Sequence, residues 1–76
     1  MDIYMHKIQN IEVFKTSISK DAKHSVTEKL MAKFPDLDVN IDIEDCDKIL
    51  RVAGMQLQND QIIKIVKSFG FQCELL

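Results

Sequence analysis

Between Leu37 and Glu44 apolar and polar residues alternate without a break, with Leu37, Val39, Ile41 and Ile43 set against Asp38, Asn40, Asp42 and Glu44. A period of two predicts a strand with one packed face and one wet face. Before it, Ile11 to Thr16 is β-rich but does not alternate cleanly, as expected of a central strand with one face fully packed and the other partly covered. Ala22, Val26, Leu30, Met31 and Phe34 recur at helical spacing and predict a first helix. Ser19 is placed to cap it, Asp21 favours the positive end of its dipole, and Pro35 stops it. After the alternating strand, Asp45-Cys46-Asp47 reads as a tight turn and Lys48 to Ala53 as the returning strand, ended by Gly54. Ile62, Ile65, Val66 and Phe69 form the stripe of a second helix, with Asn59 or Asp60 as its cap. Gly70 suits the left-handed residue that closes a helix, Phe71 follows as its hydrophobic clasp, and Phe71 to Leu76 makes a last strand.

The order is strand, helix, strand, strand, helix, strand. Each helix has one apolar face, and two helices on one face of a four-stranded antiparallel sheet bury both. With right-handed crossovers this predicts an α+β, ferredoxin-like βαββαβ sandwich with strands ordered 4-1-3-2. Residues 11 to 76 form the domain. Residues 1 to 10 are an N-terminal segment that either extends the first strand or lies outside it, with Asn10 at the junction. Lys48 and Arg51 are placed to pair with the carboxylates of the second strand across the hairpin.

A length of 76 residues gives one domain near the lower limit for folding without a staple. An apolar share of 46% argues against disorder. The net charge of −2 is spread along the chain, and no basic block predicts a nucleic-acid partner. No apolar run approaches the ~20 residues that span a bilayer, and the first residues do not form a secretory signal. A cytoplasmic protein without a membrane partner is expected, with its two cysteines as free thiols. The predicted sheet sets Cys46 and Cys73 about 10 Å apart, beyond the ~7 Å over which a disulfide closes. No nucleophile–base spacing and no glycine-rich phosphate loop points to an enzyme.

Val26-Thr27-Glu28-Lys29-Leu30, the exit Phe34-Pro35-Asp36-Leu37-Asp38-Val39 and the closing Phe69-Gly70-Phe71-Gln72-Cys73-Glu74-Leu75 carry a family likeness. Over residues 11 to 76 the chain resembles the heavy-metal-associated domains of copper chaperones and metal-pumping ATPases. Those domains leave the first helix through Leu-Pro-Gly-Val, where Asp36 here replaces the glycine, and close on a Gly-Tyr/Phe-x-Ala-x-Leu strand. They bind metal through two cysteines three apart in the first loop. The resemblance sets those positions on Ser19 and Ala22, neither of which supplies the thiolate that copper(I) prefers.

Two functions are compatible with this pattern. In the first, copper(I) or zinc is handled by a non-standard site at the same end of the sheet. Cys46 is then the leading ligand, joined by a neighbouring aspartate or by His24. His6 and His24 have no partner at zinc-ligand spacing, and a lone thiol between aspartates is more simply a turn residue. In the second, the resemblance implies docking to a protein partner through the first loop and first helix without metal. Lys20, Lys23 and Lys29 then offer a mildly basic helix face to an acidic partner, with Lys20 and Lys23 as the leading contacts. Cys73 falls where the family has a small buried residue and is expected in the core.

Overall fold

Phe14 touches no solvent, and the layer packed around it accounts for most of the architecture. The computed structural model describes residues 10–76. The expectation for residues 1 to 9, His6 included, lies outside the described residues. The elements are β1 (Asn10–Thr16), a 3₁₀ turn (Lys20–Ala22), α1 (Lys23–Lys33), β2 (Asp38–Asp42), β3 (Ile49–Gly54), α2 (Asn59–Ser68) and β4 (Cys73–Leu75). The strands form one antiparallel sheet ordered β2-β3-β1-β4, which is 4-1-3-2 counted from the opposite edge. Asn10 belongs to β1, opposite Gly54, and its side-chain amide donates to the Met55 carbonyl.

Period-two alternation decides which residues enter the core. Phe14 and Thr16 of β1, Ile41 of β2, Leu50 and Val52 of β3 and Cys73 of β4 are buried on one face. Val26 and Leu30 of α1 and Ile62 and Val66 of α2 complete the same cluster, so both helices cover that face. The other face carries Lys15, Arg51, Asp38, Asn40, Asp42 and Glu74 in register. Among the described residues, no helix is long and apolar enough to cross a membrane.

Helix starts depart most from expectation. Ser19 precedes the 3₁₀ turn in an extended conformation, but its hydroxyl makes no capping bond; its carbonyl accepts from the Ala22 N–H at 3.1 Å. Ala22 holds the N-cap position of α1 and has no side chain to cap with. Backbone bonding in the tight turn replaces the expected serine cap. At α2 the cap position falls on Gln58, again without a side-chain bond, and Asn59 becomes the first helical residue with its Oδ1 buried and unpartnered. The α1 stripe is also narrower than expected, because Met31 faces solvent at 45% exposure.

Termination follows the chemistry. The Phe34 N–H donates to the Leu30 carbonyl at 2.8 Å before Pro35 ends α1. Gly70 has φ 92°, a left-handed position that glycine adopts without strain. Lys48 does not join β3. It sits in the turn with φ 46°, and neither it nor Arg51 forms an ion pair with β2 among the described residues. Arg51 faces Asn40 rather than an aspartate, so the register separates the charges expected to pair.

Cys46 and Cys73 are both free. Burial pushes the Cys73 thiol from 9.0 up to about 11, with Lys67 opposing weakly. The folded chain therefore holds this proton more tightly than the unfolded chain. The associated stability is complete below about pH 9 and is lost as pH rises toward 11, a loss of at most about 3 kcal/mol. Denaturant unfolding of wild type and Cys73→Ala across that window should show a steeper alkaline loss in wild type; parallel curves would contradict this burial.

Candidate functional site

Three connections meet at one end of the sheet, and short hydrogen bonds tie them together. The Thr16 N–H donates to the Asp47 carbonyl at 3.1 Å, and the Thr16 hydroxyl donates to the Lys48 carbonyl at 2.6 Å while accepting from the Ile18 N–H at 3.2 Å. These bonds link the first loop to the β2–β3 turn. On the other side the Ser17 N–H donates to the Gln72 carbonyl at 3.2 Å, and the Gln72 N–H donates to the Ser17 hydroxyl at 2.7 Å. The first loop thus lies between the other two, with Ile18 driven fully into the core.

The β2–β3 turn is built from its own carboxylates. Asp42 Oδ1 accepts from the N–H groups of Glu44 and Asp45 at 3.1 and 3.3 Å, and Asp45 Oδ1 accepts from the Asp47 N–H at 2.8 Å. These are the local side-chain bonds that make aspartate a turn residue. The left-handed Lys48 costs about 1–2 kcal/mol for a residue with a Cβ. Its N–H bond to the Asp45 carbonyl and the Thr16 bond to its own carbonyl hold it there.

Cys46 lies exposed at the tip of this turn, and one donor atom each from Asp45, Cys46 and Asp47 come within 4.8 Å of one another. Part of that donor set is already engaged. Asp45 Oδ1 holds the Asp47 amide, and Asp47 Oδ1 lies 3.8 Å from Lys15 Nζ. His24 is not brought into the group. It stays on α1 with Nε2 3.1 Å from Glu28 Oε2, its side chain 84% exposed. One sulfur and two hard oxygens do not fit copper(I), which asks for soft donors. Zinc tolerates mixed donors but takes four ligands, and here three come from consecutive residues, two exposed and one half-buried.

Lys20 and Lys23 project from the 3₁₀ turn and the start of α1 into an open groove of about 530 Å³. The same groove is lined by Asn40 to Asp45 together with Ile49 and Arg51. Among the described residues neither lysine lies within ion-pair distance of a carboxylate. The surface expected to be basic is mixed in sign, with Lys20, Lys23 and Arg51 lining the groove together with Asp42, Glu44 and Asp45. Sequence reasoning missed this groove because the helix and the strand that form it are distant in sequence. It missed Thr16 as well, although Thr16 lies two residues beyond Phe14 on the packed face, where a buried hydroxyl needs partners.

No family model matches the chain, and no characterised protein or solved structure matches it significantly.

Thr16→Val keeps the shape and removes both hydroxyl bonds, leaving the Lys48 carbonyl unpaired. A loss of about 1–3 kcal/mol is expected in denaturant unfolding, with amide shifts concentrated at residues 45–48 and 18. Unchanged stability and an unshifted turn would show that this hydroxyl does not organise the end.

Proposed function

We propose that the chain is a non-enzymatic binding module, ferredoxin-like and of the heavy-metal-associated type, that engages a protein partner without metal. The docking surface is the first loop, the start of α1 and the facing edge of β2. The observation that supports this reading is the open groove lined by Lys20, Lys23 and Arg51 together with Asp42, Glu44 and Asp45, in which neither Lys20 nor Lys23 is ion-paired among the described residues. Charges of both signs, held apart and solvated, are available to a partner with the complementary arrangement, which favours specificity and encounter rate over raw affinity. The backbone beneath them is fixed by the Thr16 and Ser17 bonds, so little ordering is needed on docking. A cytoplasmic location belongs to the same reading.

Capture from cell extract on the immobilised full chain tests it. Retention of a specific protein should be indifferent to chelator and roughly tenfold weaker with Lys20→Glu and Lys23→Glu together. Release by chelator, or capture unchanged in the double variant with its amide spectrum intact, would contradict it.

A second reading keeps metal handling at the same end, and the convergence of Asp45, Cys46 and Asp47 donor atoms favours it. It expects one-to-one zinc binding at micromolar concentration with shifts at residues 45–47, lost in Cys46→Ser. The donor set described above leads us to expect no saturable shift there. Saturation that depends on Cys46 would put the metal reading first.

A further inference from the structure

We infer that β2 is a docking edge for an extended segment of another protein in which cationic and apolar residues alternate, added to the sheet as a fifth strand. This rests on the module reading above and names the chemistry of the partner. β2 is an outer strand, and among the described residues nothing pairs with its free side. An outer strand presents a row of backbone donors and acceptors that an incoming chain can satisfy, with side-chain neighbours deciding which chain.

Those neighbours differ on the two faces. On the open face β2 presents Asp38, Asn40 and Asp42, all exposed. On the helix face it presents Val39 and Ile41, with the partly buried Ile43 just beyond. A strand laid beside β2 thus sets every second residue next to the polar row Asp38, Asn40 and Asp42, two of whose three members are aspartates, and the intervening residues next to the apolar margin of the core. Opposite charges on directly opposed positions stabilise such a pair, and like charges oppose it. Two shallow grooves already follow this edge, the one holding Lys20 and Lys23 and another lined by Asp38, Val39, Asn40, Arg51 and Ala53.

The same charges argue against a second copy as the occupant. Antiparallel self-pairing of β2 centred on Asn40 opposes Asp38 to Asp42 twice. The far edge, β4, carries Glu74 on the same face, so joining β4 of one copy to β2 of another sets acid opposite acid wherever Glu74 meets Asp38 or Asp42 and leaves only the Asn40 register free of it. Acidic residues that guard the edge against its own kind select a cationic strand.

The test uses isotope-labelled full chain and three peptides: alternating lysine and valine, alternating glutamate and valine, and lysine and valine in separate blocks. The alternating lysine peptide is expected to shift the amides of Asp38–Asp42, to slow their hydrogen exchange and to weaken with salt. Asp38→Lys combined with Asp42→Asn should weaken it roughly tenfold. Asn at position 42 keeps the acceptor for the Glu44 and Asp45 amides, so the turn survives. Equal binding of the glutamate or block peptide overturns the inference, as does absence of binding at millimolar peptide. Exchange along β2 that slows with protein concentration alone also overturns it, by giving the edge to a second copy. Shifts at Lys20 and Lys23 with β2 unchanged would sink strand addition and leave the module reading standing. Strand addition unaffected by Lys20→Glu and Lys23→Glu, when those changes also leave partner capture intact, would sink the module surface alone.

Discussion

The Thr16 hydroxyl donates to the Lys48 carbonyl and accepts from the Ile18 N–H, and the loop end of the molecule is arranged around those two bonds. Thr16 reaches that point because it follows Phe14 by one strand period, and burial of Phe14 leaves its position no freedom. A buried hydroxyl without partners is costly, so its bonds are made, and they draw the β2–β3 turn against the first loop. Ser17 then ties the same loop to Gln72. A hydrophobic register at the centre of the sheet thereby fixes the relative placement of three loops that are far apart in sequence.

What is fixed there is backbone, while the side chains that carry chemistry stay in water. Cys46, His24, Lys20 and Lys23 are all exposed. A metal centre needs converging donors, and the donors at positions 45 to 47 are consecutive, solvated and partly committed to shaping their own turn. A docking surface has weaker requirements: a firm frame and separated charges. This difference is the ground on which we propose binding of a macromolecule rather than of a metal.

Much of the fold was legible because its cause is periodic. The alternation from Leu37 to Glu44 and the stripes containing Val26, Leu30, Ile62 and Val66 led to a four-stranded sheet with two helices. Gly70 was legible through backbone sterics. The helix caps were not, because Ser19 and Asn59 have the right side chains but the chain enters each helix one geometry away from using them. Lys48 and Arg51 were misread for a related reason: a left-handed turn residue took one out of the strand, and register set the other against Asn40. At the candidate site the residues were legible singly. Their arrangement was not, since the groove joins the start of α1 to the edge of β2 and no local pattern encodes that meeting.

The most direct test of the account is site-specific photo-cross-linking in living cells, with a photoreactive side chain placed at Asn40 on the β2 edge or at Glu74 on the β4 edge, in a Cys46→Ser background. A discrete heterologous adduct is expected from position 40 and none from position 74, with the thiol already removed. An adduct that appears only when Cys46 is restored, or that forms from position 74 alone, would contradict it.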